Sequence, residues 1–313
     1  MPPHASLWKS VLLSLLLSPF AWGADPDRDW QANAVLDDVT TWTIADVGAV
    51  QGAHVHDGKL YLYGDLFSAK PRVGVIREYN FDLEPTGRQL WLRKGDDPLI
   101  THPTGLAIHP KYGAFLGDTV DGEGIIHRFD WEQAWEDGDL SQAAKQRIED
   151  DASVNGTRPL LVTLDAKQYL ATADYGDQNN QVRLYDIERL VREGRSSAPG
   201  VVAHRFACGP FNQNLAWDEE RGELTCVQNV VGGRGWRLDV IDLARAVDEE
   251  SANVTGVRVR RWIFPPHTEL EGYQRLPDGR HLFAVVYGKD NILAGTARPI
   301  DPRRTPKGTR SPK

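Results

Sequence analysis

The stretches Phe129-Asp130-Trp131, Tyr185-Asp186-Ile187 and Ile241-Asp242-Leu243 decide the fold that this sequence predicts. Their aspartates, at positions 130, 186 and 242, are 56 residues apart each time. A related phrase, Phe81-Asp82-Leu83, precedes them. A fixed period of this size is typical of a propeller or a solenoid, in which one supersecondary unit repeats along the chain.

Each repeat contains the signals of four short strands. The first hairpin turns at Asp57-Gly58, a pair that strongly favours a tight turn between alternating apolar residues. Inner strands are predicted to open at five places: Gly52, Gly105, Pro159, Leu215 and Gly272. The sequence therefore predicts an all-β fold, a five-bladed β-propeller with four-stranded antiparallel blades.

The fifth repeat is one strand short, because the apolar pattern ends after Ala297. Residues Thr41 to Ala45 alternate suitably and lack a partner, so we expect the N-terminal strand to complete the last blade and close the ring. The repeated aspartates precede helix-like runs, and Asp there can accept hydrogen bonds from the first free amides of a helix. They are interpreted as caps of short helical insertions at the rim.

The termini differ from the body of the chain. Residues 1–23 read as a secretory signal peptide, with Lys9 before an apolar run and small residues at Ala21 and Gly23. Residues 24–297 form the predicted propeller domain, and 298–313 a basic, disordered tail. We expect a secreted or periplasmic monomer with no membrane span. Cys208 and Cys226 are either bridged or two buried thiols, and both readings are open.

Charge narrows the range of partners. The net charge is −8; removing the signal (+1) and the tail (+5) leaves −14 for the body. Nucleic acid needs a basic surface, so it is excluded as a partner. A small polar molecule or a saccharide is the expected partner.

One polar residue precedes each predicted inner strand. These residues are Gln51, Thr104, Arg158, Asn214 and Glu271. Since inner strands of a propeller start at one face, we expect this inner ring to surround the mouth of the central channel, where ligands of such folds bind. Polar residues before apolar strands favour a binding role.

A second ring is predicted where the second strand of each blade ends on the same face. Its members are Asp65, Asp118, Asp174, Asn229 and Tyr287. Their oxygen atoms suit Ca²⁺ or sugar hydroxyls, and ordinary turn chemistry is the equally open alternative. His102 is the best-placed general base, with a loop role as its alternative.

The segments His102–Pro110 and Leu270–Arg280 resemble blade openings of exported propellers of the NHL and gluconolactonase-like groups. That resemblance implies a channel calcium held by Glu, Asn and Asp, for which Glu271 and Asn214 are possible counterparts. Those proteins usually have six blades, whereas five are counted here.

Two functions are consistent with these features. The first is an exported propeller that binds a saccharide or carboxylate, with Arg158 pairing to an anionic group. The alternative is a Ca²⁺-dependent hydrolase or lyase acting on a lactone or glycan, with Glu271 or His102 as the base.

Overall fold

The computed structural model describes residues 33–229, 235–249, 258–264, 268–286 and 288–300, and it confirms the five-bladed propeller. The first strand is β1 (Ala34–Trp42). Blade 1 then contains, from the hub outward, β2 (Ala49–His56), β3 (Lys59–Leu66), β4 (Val73–Tyr79) and β5 (Pro85–Trp91). A small hairpin follows, with β6 (Arg93–Lys94) and β7 (Asp97–Pro98).

The next three blades follow the same plan, each with one short helix between its third and fourth strands. Blade 2 has β8 (Thr104–His109), β9 (Gly113–Val120), β10 (Glu123–Phe129), α1 (Trp131–Asp137) and β11 (Ala144–Asp150). Blade 3 has β12 (Leu160–Leu164), β13 (Lys167–Ala173), β14 (Gln181–Asp186), α2 (Ile187–Glu193) and β15 (Val202–Ala207). Blade 4 has β16 (Asn212–Asp218), β17 (Glu223–Asn229), β18 (Trp236–Asp242), α3 (Leu243–Asp248) and β19 (Arg258–Phe264).

The last blade joins the two ends of the described chain. It contains β20 (Leu270–Arg275), β21 (His281–Val285), β22 (Ile292–Pro299) and, as its outer strand, β1. Closure by the N-terminal strand is thus confirmed, but the strand is Ala34–Trp42 rather than residues 41–45. A register shift between Asp37 and Thr40 breaks its alternation, which hid it in the sequence. Strand β22 also continues to Pro299, so it includes the first two residues assigned to the tail.

Each pair of neighbouring blades buries an apolar cluster. The cluster between blades 4 and 5, for example, contains Val227 and Leu238 from one blade and Leu270 and Phe283 from the other. Five such clusters close the ring, because a blade is apolar on both faces and cannot bury them alone. The architecture holds the starts of the five inner strands together at the hub.

The repeated aspartates are helix caps. The side chains of Asp130, Asp186 and Asp242 accept hydrogen bonds from the backbone amides three residues later, at the first turns of α1, α2 and α3. Cys208 and Cys226 are both free and buried in the structure. Asn212 Nδ2 donates to Cys208 Sγ over 3.2 Å, and Cys208 together with burial raises the pKa of the Cys226 thiol.

Candidate functional site

All five predicted inner-ring residues lie at the hub, with exposed fractions between 4% and 6%. Part of their placement comes from β-bulges at the starts of inner strands. In blade 1, Val50 pairs with Gly64 and Gly52 pairs with Tyr63, which leaves Gln51 as the extra residue. Glu271 is the extra residue of blade 5 in the same way. A bulge bends the strand and redirects a side chain, so it positions these two residues at the hub.

Two members of the inner ring hold the ring together. Thr104 Oγ1 donates to the backbone oxygen of Thr157 over 2.6 Å, which ties blade 2 to blade 3. Asn214 Nδ2 donates to Tyr63 Oη over 2.9 Å and to the backbone oxygen of Glu271 over 3.2 Å. Its Oδ1 accepts from its neighbour's amide, that of Leu215, over 2.8 Å. The polar atoms of the Thr104 and Asn214 side chains therefore already have hydrogen-bond partners within the protein.

Tyr63 is a hub residue that the sequence reasoning missed. It belongs to the second strand of blade 1, yet its hydroxyl contacts Asn214 of blade 4. This reach requires glycine at position 52, because a Cβ there would stand 2.1 Å from Tyr63 Oη. Burial raises the pKa of Tyr63 well above its ordinary value, so the hydroxyl stays neutral. The sequence did contain a signal for this close approach, because a glycine directly follows the inner-ring residue in blades 1, 2 and 5.

Arg158 is the cation of the hub, and most of its donors have no strong protein partner. Its Nη1 donates to the backbone oxygen of Ala173 at 3.5 Å, and its Nε is buried without a hydrogen-bond partner. The guanidinium lies 5.1 Å from the centre of the Tyr175 ring. Burial lowers the pKa of Arg158 to about 10, opposed chiefly by Glu271, so the group remains charged at neutral pH.

Glu271 and Gln51 also carry open polar atoms. Among the described residues, the Glu271 carboxyl group makes no hydrogen bond or ion pair, and neither does the Gln51 amide. Burial and then the nearby Glu269 raise the pKa of Glu271 well above its ordinary value, against the effect of Arg158. The pKa shifts of Tyr63, Arg158 and Glu271 each include a contribution from the other charged groups of the hub, so these groups converge.

The second ring is placed differently. Asp174 accepts from Arg183 Nη1 at 2.5 Å, from the amide of Val154 at 2.8 Å and from the amide of Gln181 at 2.9 Å. Asp118 accepts from the amides of Thr119 and His102 at 2.9 and 3.2 Å, and burial raises its pKa. These contacts are the turn chemistry that was the alternative interpretation of the ring.

The remaining second-ring positions have mixed surroundings, and Asp65 keeps one buried oxygen, Oδ1, without a hydrogen-bond partner. Asp65 is fully buried, and its Oδ2 lies 2.6 Å from Arg72 Nη2 and 3.1 Å from His102 Nδ1. The His102 side chain is 37% exposed, whereas the inner-ring residues are 4–6% exposed. Asn229 is the last residue of β17, and its backbone N–H donates to the backbone oxygen of Phe211. Tyr287 lies outside the described residues.

The donor set does not favour a metal. Over residues 33–300, apart from the gaps named above, no three His, Cys, Asp or Glu side chains are grouped to hold an ion. Of the two calcium ligands suggested by resemblance, the Asn214 oxygen accepts from a backbone amide, and the Glu271 carboxyl group is close enough to the Arg158 cation for that charge to lower its pKa. Calcium prefers six to eight oxygen donors, whereas the described inner-ring side chains leave three oxygens without a protein partner, two on Glu271 and one on Gln51.

Within the part of the chain that is described, no helix has both the length and the apolar character that a membrane crossing requires. The predicted signal peptide at 1–23 and residues 301–313 of the predicted tail lie outside the described residues. Export and a monomeric state stay predictions.

Comparison with known proteins finds only distant structural similarity. No family model and no curated protein matches the chain. Among solved structures it is similar to Kuenenia stuttgartiensis hydrazine synthase, at 12% identity and a TM-score of 0.42 over 77% of this chain and 57% of that one. A mannose phosphorylase from Leishmania mexicana, solved with phosphate ion, gives 12% and 0.44 over 86% and 89%. Chaetomium thermophilum Sqt1, bound to the N-terminus of ribosomal protein L10, gives 15% and 0.39 over 79% and 60%. The chain spans less than two thirds of the hydrazine synthase and Sqt1 chains.

Proposed function

We propose that this propeller is a binding protein for a small carboxylate that carries hydroxyl groups, held at the hub by Arg158. The observation that carries the proposal is a buried guanidinium whose Nε lacks a partner and whose one backbone bond is 3.5 Å long. A buried polar group without a partner costs about 1–3 kcal/mol, and a ligand that satisfies it recovers that cost. Arginine is also the side chain best suited to two-point recognition of a carboxylate.

The neighbours of Arg158 suit the rest of such a ligand. Burial raises the pKa of Glu271 well above its ordinary value, which favours the protonated form, and in that form the carboxyl group donates a hydrogen bond without repelling an anion. Gln51 adds an amide with both donor and acceptor atoms. Together these groups match hydroxyls beside a carboxylate, as in a sugar acid.

The aromatic side chains beside the hub suit a covering role. Tyr175 lies over Arg158, and its ring meets Phe211 edge-on with 5.9 Å between centres. Both rings are only partly buried, so rotation about their side-chain bonds would admit and then enclose a small molecule. Exclusion of water strengthens a charged hydrogen bond, which is what a single arginine needs to give useful affinity.

Isothermal titration with galacturonate and galactose tests the proposal, because the two sugars differ in carrying a carboxylate or a CH₂OH group. We expect heat from galacturonate and much weaker heat from galactose. Arg158→Gln should weaken galacturonate binding at least tenfold, since a charged hydrogen bond contributes about 1.5–3 kcal/mol. Arg192→Gln, an exposed charge change on α2 of the same blade, is the matched control.

Equal binding of both sugars, or galacturonate binding that Arg158→Gln leaves intact, would contradict the proposal. Failure of galacturonate and of further small hydroxy acids to bind would do the same. Ca²⁺ titration into chelator-treated protein is the companion measurement for the calcium-dependent alternative. That alternative requires Ca²⁺ binding, whereas the present proposal does not.

A further inference from the structure

A cavity lies between blades 4 and 5, away from the hub. It has a volume of about 270 Å³. Its walls come from the ends of β16 and β20, whereas the inner-ring residues stand at the starts of these strands. Since a strand advances about 3.3 Å per residue, the cavity residues of β16 and β20 lie about 7–13 Å beyond Asn214 and Glu271 along the same strands. The cavity therefore opens on the opposite face of the propeller.

One wall of this interblade cavity is aromatic. Tyr273 and His281 belong to blade 5, and their side chains are joined by a 2.8 Å hydrogen bond between Tyr273 Oη and His281 Nδ1. Trp262 of blade 4 lies 6.1 Å from the His281 ring. Burial, with Arg260 adding to it, lowers the pKa of His281 to about 4, so the imidazole is uncharged at neutral pH. An uncharged aromatic wall suits the flat face of a ring-shaped ligand.

Polar side chains without protein partners line the same cavity. Thr225 is 7% exposed, and its hydroxyl makes no hydrogen bond with a described residue. The Glu223 carboxylate, two residues earlier on the same strand face, also lacks one. Residues two apart on a strand point to one side, so both side chains are directed toward blade 5. They supply an acceptor and a hydroxyl for the hydroxyl groups of a bound ring.

The charge at the cavity edge is positive. Arg221 Nη1 and Arg275 Nη1 both converge on one oxygen of Asp218, at 2.7 and 2.9 Å. Arg260 forms no ion pair among the described residues, and its guanidinium lies 5.7 Å from the Trp262 ring centre. The three arginines carry three positive charges, and Asp218 and Glu223 carry two negative charges. The lining of the cavity therefore has a net charge of +1, which one anionic group would balance.

We infer that the interblade cavity is a binding site for a single sugar ring carrying one anionic group. The aromatic wall packs against the face of the sugar ring, Thr225 and Glu223 form hydrogen bonds with its hydroxyl groups, and Arg260 binds the anionic group. The volume is just below the ~300 Å³ at which pockets for drug-sized ligands begin, so one ring with its substituents is the largest fit. This inference uses residues other than those of the hub and does not depend on the proposed function.

Titration of the full chain with glucose 6-phosphate, glucose and inorganic phosphate tests the inference. We expect glucose 6-phosphate to bind best, because it alone supplies both the ring and the anion. Arg260→Gln should weaken its binding about tenfold or more, since a charged hydrogen bond is lost. Arg205→Gln makes the same charge change on β15, the outer strand of blade 3, and is the matched control.

Thr225→Val is a second variant that keeps the shape of the side chain. Because the threonine hydroxyl has no protein partner, the melting temperature should not fall, while glucose 6-phosphate binding should weaken severalfold. Binding of inorganic phosphate with equal affinity would show arginine contact alone and overturn the inference. Binding that is lost in Arg158→Gln but kept in both cavity variants would place the sugar at the hub and overturn it too, as would no binding of glucose 6-phosphate.

Discussion

Arg158 of the inner ring and Asp174 of the second ring are both polar and both buried, yet their side chains are used differently. Asp174 fills its oxygens with an arginine and two backbone amides. Arg158, in contrast, makes one backbone bond of 3.5 Å and leaves its Nε without a partner. Burial and polarity therefore do not distinguish scaffold from site in this molecule. The difference between these two residues is whether the protein itself supplies the partners of their polar atoms.

The largest effect that tests this comparison is expected for Asp174→Ala. Removing the carboxylate leaves the Arg183 guanidinium and two amides buried without their acceptor, which should lower the free energy of unfolding by about 3–5 kcal/mol. Urea denaturation measures the loss. Asp177→Ala, in the exposed loop that follows, is the control and should change stability by less than about 0.5 kcal/mol. Similar stabilities for the two variants would mean that the second ring is not scaffold.

The next test uses the ionisation of Glu271. Its pKa is raised in the folded protein above the ordinary 4.5, so the folded state binds the proton more tightly than the unfolded chain does. The stability that this contributes is complete below about pH 4.5 and declines as the pH rises through the folded-state value. Glu271→Gln mimics the protonated group and should remove this decline.

Urea denaturation of both proteins at a series of pH values from about 4 to 8 measures the difference. We expect the variant to gain stability relative to the natural chain as the pH rises. Arg158 does not titrate in this window, because its pKa is about 10. Parallel stability curves would show that the Glu271 carboxyl group is not held in a low-polarity hub.

The sequence predicted the features that depend on local signals. The period of the aspartates and the Asp57-Gly58 turn predicted five blades, and Asp130, Asp186 and Asp242 cap helices as expected. The closing strand was placed too late, since the left-handed Asp38 interrupts its alternation at the register shift. Local propensity does not report such a break, because the pairing that defines it comes from the other end of the chain.

The candidate site was predicted in part. The ring positions were visible as polar residues before apolar strands, and the structure brings Arg158, Asn214 and Glu271 together at the hub. The bulges that position Gln51 and Glu271 are properties of pairing and leave no periodic signal. Tyr63 was missed because its contact with Asn214 spans 151 residues and exists only in the closed ring. Whether a buried polar atom has a partner is likewise a property of the folded ring.

The smallest stability effect is expected at Arg158, and it sharpens the comparison most. Arg158→Gln removes a buried cation that has no close ion pair among the described residues, so any fall in the free energy of unfolding should be less than about 1 kcal/mol. Arg183→Gln is the matched variant, because the same substitution there breaks the 2.5 Å pair with Asp174 and should cost several times more. Urea denaturation of the two variants side by side measures both. A large loss for Arg158→Gln would mean that its charge stabilises the hub, in which case the guanidinium is scaffold and the open donors need an explanation other than a ligand.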